Sequence, residues 1–156
     1  MAEPARLLIG PIAAAEDGEV ESILRSLPAW FGIESAILMY IADARREPTF
    51  VARVDGAVAG FITLRMHFGQ AAEIHCLAVR PEFHRRGAGR KLVEFACDHL
   101  RARGAKFLQV KAMGESKPNQ EYEMTRRFYI AVGFTPIEEF KGFWSGLPAL
   151  LLIKAI

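Results

Sequence analysis

The chain has 156 residues, 51% hydrophobic and 24% charged, with a formal net charge of +2. That length suits a single domain, residues 1–156, with a sizeable core, and the composition excludes a disordered chain. So small a charge argues against nucleic acid as a partner, and no apolar run reaches the roughly 20 residues that a membrane-crossing helix requires.

Met1 to Gly10 lacks the basic, apolar and cleavage regions of a signal peptide and is read as mature sequence. Leu7 to Ile12 is a short apolar run and reads as a first strand. Glu16 to Leu27 places Val20, Ile23, Leu24 and Leu27 at helical spacing, and Pro28 stops it. After the Trp30-Phe31-Gly32 connector, Glu34 to Arg46 reads as a second helix with Ile37, Leu38 and Ile41 on one face. Thr49 to Val54 and Val58 to Met66 then form a hairpin around Asp55-Gly56, a pair suited to the positive φ angles of a two-residue turn.

A further strand runs from Ala71 to Val79 and ends at Arg80-Pro81. Gly87 to Arg103 is the strongest helix. Leu92, Val93, Ala96 and Leu100 form its stripe, and Gly104 terminates it. Phe107 to Lys111 is a strand, Gly114 to Asn119 a loop, and Glu121 to Val132 a helix ended by Gly133. Thr135 to Phe140 and Ala149 to Lys154 are the closing strands, separated by the turn-rich Trp144 to Pro148. The order β-α-α-β-β-β-α-β-α-β-β implies a mixed α/β sheet, not a doubly wound parallel one. Cys76 and Cys97 have no metal-ligand spacing. They read as reduced, packed thiols of a reducing compartment, hence a cytoplasmic protein, and no metal is expected.

The chemistry concentrates between Glu73 and Val93, where a strand, a glycine-bearing turn and a long helix follow one another. The first turn of a helix has N–H groups without intrahelical partners, and the macrodipole adds positive potential. Glycines at 87 and 89 let an anion approach that backbone, as phosphate sites require. A plain strand-to-helix turn uses the same residues. A P-loop is excluded because no Gly-Lys-Ser/Thr ends the motif, and the spacing of a dinucleotide fingerprint is absent. Arg80, Arg85, Arg86, Arg90 and Lys91 crowd around the helix start, where cations oppose the dipole unless an anion binds.

This segment resembles the signature of the GNAT superfamily of acyl-CoA-dependent N-acyltransferases, Val-x-Pro-x-x-x followed by Gln/Arg-x-x-Gly-x-Gly/Ala. Val79 and Pro81 match the entry, and Gly87 and Gly89 match the loop. Arg126 to Phe134 resembles the family's later Phe-Tyr-x-x-x-Gly-Phe helix, and the element order agrees over nearly the whole chain. His84 replaces the usual Gln or Arg at a position that mostly contributes its backbone. Tyr122 and Thr125 replace an Asn and an Ala that often precede Phe-Tyr.

The resemblance implies a mixed, mostly antiparallel sheet flanked by about four helices, with acetyl-CoA as the acyl donor. It implies direct transfer to a primary amine, most simply of a small molecule. A protein or peptide amine, or a non-catalytic acyl-CoA-binding module, are the alternatives, and a homodimer is left open. Leu77, Ala78 and Val79 would line the pantetheine arm, with the Leu77 or Ala78 N–H polarising the thioester carbonyl. His84, Arg85, Arg86, Gly87, Ala88, Gly89 and Arg90 would hold the pyrophosphate.

Tyr129 matches the family's general acid. Phe128, about 100° around the helix, is better placed for the core, and the resemblance also implies that it contributes to binding the donor. Glu73 resembles a family glutamate that deprotonates the amine directly or through water. Strand alternation puts His75 on the same side, where it could share the task. By the same resemblance, acceptor specificity falls to Trp30–Glu34 and to Phe140–Trp144, and Glu34 is a candidate partner for a cationic amine.

Overall fold

In a computed structural model that describes residues 1–156, the backbone forms seven strands and four α-helices. The first six elements are β1 (Leu7–Pro11), α1 (Asp17–Arg25), α2 (Glu34–Arg46), β2 (Thr49–Val54), β3 (Ala57–Phe68) and β4 (Ala71–Val79). Then come α3 (Ala88–Arg101), β5 (Phe107–Met113), α4 (Gln120–Ala131), β6 (Thr135–Trp144) and β7 (Leu147–Ala155). The sheet order is β1-β2-β3-β4-β5-β7-β6. β4 runs parallel to β5, whereas β1–β2, β2–β3, β5–β7 and β6–β7 are antiparallel. This is the mixed sheet that the element order implies, and the mostly antiparallel one that the family resemblance implies.

Contacts divide the chain into two compact units, Met1–Arg65 with Cys76–Asp98, and Met66–His75 with His99–Ile156. In the first unit, α1 and α2 bury Val20, Ile23, Leu24, Ile37 and Ile41 in a core shared with Phe61 and Cys76. Leu38, expected on the same face, is 53% exposed, because the buried stripe of α2 continues through Ile37, Ile41 and Ala44 instead. The β2–β3 turn is the two-residue form expected, with Asp55 at φ 50° and Gly56 at φ 86°. Gly60 is required by packing: a Cβ there would lie 2.7 Å from the Ala78 carbonyl oxygen and 2.9 Å from Val79 Cγ2.

In the second unit, Leu108, Val110 and Ala112 alternate inward along β5, with Ala149 and Leu152 of β7 also buried. β7 pairs with β5 from Phe107↔Ala155 to Met113↔Ala149, and β6 pairs on its other side. Trp144 and Leu147 are strand partners across Ser145-Gly146, both with positive φ. The stretch from Trp144 to Pro148 is therefore a tight hairpin within two long strands. Asn119 caps α4 by accepting a hydrogen bond from the Tyr122 N–H (3.1 Å). At the far end the Lys154 ammonium donates to the Val132 carbonyl (2.7 Å), beside Gly133 at φ 102°.

Candidate active-site elements

The turn into α3 lies in the first unit. Pro81–Phe83 forms one 3-10 turn, and the chain then passes through Arg85 at φ 61° and Gly87 at φ 83° before α3 begins at Ala88. Two left-handed residues so close together turn the backbone sharply, and only one of them is a glycine. The Lys91 N–H bonds to the Gly87 carbonyl (3.0 Å), so the N–H groups of Ala88, Gly89 and Arg90 precede the first helical hydrogen bond. A Cβ on Gly87 would meet open space, so room for a ligand exists above the turn.

His84 does more than lend its backbone: its ring Nε2 lies 2.7 Å from the Val79 carbonyl, to which it donates, and Trp30 meets the ring edge-on at 6.0 Å. The histidine thus ties the loop to the end of β4, and it uses a Val79 acceptor that the sequence reading had left to the pantetheine arm. Arg80 leaves the basic cluster. Its guanidinium donates to the Val58 carbonyl (3.0 Å) and Ser22 Oγ (3.0 Å) and pairs with Glu19. Arg85, Arg86 and Arg90 remain exposed, with Arg86 over the Phe83 ring at 5.8 Å. Glu34 is likewise committed, to the Arg25 guanidinium at 2.7 and 2.9 Å.

The second unit holds Glu73. Strand alternation is as expected: Ile74 and Cys76 are buried while His75, Leu77 and Val79 are half-buried. Ala78 is also buried. Glu73 is not a solvated strand end, being 7% exposed. His67 Nε2 lies 2.5 Å from its Oε1, Lys111 Nζ lies 3.2 and 3.1 Å from its two oxygens, and Gln109 Nε2 lies 3.3 Å from Oε1. Burial alone would raise the carboxyl pKa. The hydrogen bonds from His67, Lys111 and Gln109, with the Lys111 charge, outweigh burial and hold it below the usual glutamate range. Sequence reasoning missed His67, Gln109 and Lys111. The parallel register Glu73↔Gln109 brings β5 alongside, and nothing local to residues 67 or 111 signals that.

Tyr129 and Phe128 reverse their expected burial. Tyr129 is 5% exposed, packed edge-on against Phe134 (5.5 Å) and Phe128 (5.2 Å), whereas Phe128 is half-buried. Angular separation on a helix was predicted correctly; which side the neighbouring strands cover was not. Arg126, one turn earlier and 8% exposed, donates to the Met113 carbonyl (2.7 Å) and ties α4 to the end of β5. On β6, Phe143 is 50% exposed, with Phe140 and Trp144 beside it and Lys111 Nζ 5.5 Å from its ring centre.

Solved structures share this fold. A GNAT-family protein from Desulfovibrio desulfuricans superposes with a TM-score of 0.84 at 17% identity, covering 96% of this chain and 99% of that one. A GNAT family acetyltransferase from Elizabethkingia anophelis with acetyl-CoA bound gives 0.77 at 16% identity, covering 96% and 98%. The chain belongs to the GNAT acetyltransferase family, whose model matches residues 17–134. Two curated relatives share shorter stretches. A mycothiol acetyltransferase of Beutenbergia cavernae is 35% identical over 83 residues, 53% of this chain and 26% of the relative. An uncharacterized N-acetyltransferase of Methanocaldococcus jannaschii is 30% identical over 99 residues, 60% of this chain and 41% of the relative. The chain thus matches less than half the length of either. No helix is long and apolar enough to cross a membrane.

Proposed function

We propose that residues 1–156 act as one catalytic domain, an N-acetyltransferase that passes the acetyl group of acetyl-CoA directly to a primary amine of a small molecule. The observation that carries this reading is the turn into α3. Left-handed Arg85 and Gly87 lead into a 14-residue helix whose first N–H groups precede any helical bond, with three exposed arginines around them. Gly87, Ala88, Gly89 and Arg90 would hold the pyrophosphate of CoA, with Arg85 and Arg86 adding charge and His84 bracing the loop.

Leu77 and Ala78 would offer backbone groups to the pantetheine arm, with Val79 contributing mainly through its side chain. The thioester supplies an activated acyl group; the protein must neutralise the amine, polarise the carbonyl and satisfy the departing sulfur. Glu73 and its partners are the amine-neutralising group and Tyr129 the proton donor. Phe128, half-buried beside Tyr129, would pack against the donor. Family membership supports this assignment.

Release of CoA thiol from acetyl-CoA should be followed with a panel of polyamines, aminoglycosides, amino acids and peptides. The reading expects turnover with at least one small amine and slower turnover with peptides. Preference for peptides moves the acceptor to a protein terminus or side chain. CoA binding without thiol release from any amine contradicts catalysis.

A further inference from the structure

We propose that the ring of His67 takes the proton of the acceptor amine, and that Glu73 acts on it as a positioning residue without taking the proton itself. This rests on the acetyltransfer reading above and deepens it. The carboxylate of Glu73 is buried and already engaged by donors from two strands, Lys111 and Gln109 on β5 and His67 on β3. Lys111 is a fixed cation 3.1 Å from Oε2, so protonating Glu73 would leave that charge without its anion. A carboxylate stabilised in this way is a weak base.

His67 differs in both respects. Its side chain retains 36% exposure, and one ring nitrogen is already fixed against Glu73 Oε1. Because a carboxylate only accepts, Nε2 carries the hydrogen in the neutral ring and Nδ1 keeps the lone pair. A carboxylate that orients an imidazole and stabilises the imidazolium once it forms is the arrangement that makes histidine an effective base. Of the other ionisable groups, Lys111 shares the Glu73 carboxylate, His75 lies two residues along β4 from Glu73, and Arg65 lies two residues before His67 on β3. Arg65 is held by Asp43 (3.2 Å) and Glu47 (3.5 Å).

The step balances as follows. His67 Nδ1 takes one proton from the ammonium, and the freed amine forms its N–C bond to the thioester carbon. The C–S bond breaks, the sulfur leaves with the electron pair, and it receives the second nitrogen proton through the donor side of the site. His67 then returns its proton to solvent from its exposed face. Overall an ammonium and a thioester give an amide, a thiol and one solvent proton.

The test combines histidine-ring NMR with the pH profile of CoA-thiol release, using the fastest amine of the panel, in wild type, His67→Gln and Glu73→Gln. The neutral His67 ring is expected to carry its proton on Nε2, and to lose that preference in Glu73→Gln. In His67→Gln, kcat should fall by about 10²-fold or more and the acidic limb of the profile should vanish. Glu73→Gln should lower kcat while keeping the limb. An Nδ1-protonated ring, or an unchanged rate and limb in His67→Gln, overturns the assignment to His67 while leaving acetyltransfer intact. Absence of thiol release with every amine, with CoA still bound, sinks the acetyltransfer reading and His67's role with it.

Discussion

Tyr129 lies against Phe128 and Phe134 with 5% exposure, so replacing it by Phe keeps its packing and removes only the hydroxyl. Tyr129→Phe should cost about 1 kcal/mol or less in stability, yet lower kcat by about 10²-fold with the KM for acetyl-CoA little changed. Equal rates in steady-state assays would remove Tyr129 from the chemistry. Glu73 makes a different prediction. A carboxyl whose folded pKa lies below its unfolded one contributes stability that is present above the unfolded value and lost as pH falls through the folded value. Glu73→Gln should therefore cost about 2 kcal/mol at neutral pH. The gap to wild type in urea denaturation should then narrow on acidification below about pH 4.3, the unfolded glutamate value. A gap that stays constant with pH would contradict the pairing with Lys111 and His67. A motif likeness put forward both Tyr129 and Glu73, and strand alternation gave Glu73 its side of β4. The contact of His67 with Glu73 was not legible, because it joins two different strands.

At the scale of elements, the hairpin at Asp55-Gly56, the bounds of α2 and β4, and the helix after Gly87 were all readable from turn residues and periodicity. What sequence did not disclose is non-local. β7 inserts between β5 and β6, and the β6–β7 hairpin closes over only Ser145-Gly146. Proline and glycine near that turn made its flanks look irregular, although Pro148 is buried within β7. Gly60 is another such case, an ordinary strand glycine until the Ala78 carbonyl is seen beside it. Gly60→Ala places a carbon against backbone that cannot swing aside, so it should destabilise by about 2 kcal/mol. It should also weaken CoA binding, because the displaced residues are Ala78 and Val79. Urea midpoints and CoA titration check both; a stable variant with normal binding would contradict the close approach.

For the whole molecule, the family match from residue 17 to 134 includes residues of both compact units. A ligand present at about 100 times its Kd stabilises the state that binds it by about 2.7 kcal/mol. Saturating CoA should thus raise Tm by about 5–10 °C in a chain of this size. The most direct test is a calorimetric titration of CoA into wild type, Gly87→Asn and Gly87→Glu. Asparagine tolerates the left-handed backbone and adds a side chain without a charge, so it should weaken binding by less than glutamate does. Glutamate adds a carboxylate where the pyrophosphate would lie and should weaken binding by about 10²-fold or more, with Tm lowered by no more than about 5 °C. Unchanged affinity in a folded Gly87→Glu protein, or no CoA binding by wild type, would contradict the assignment of this turn as the donor site.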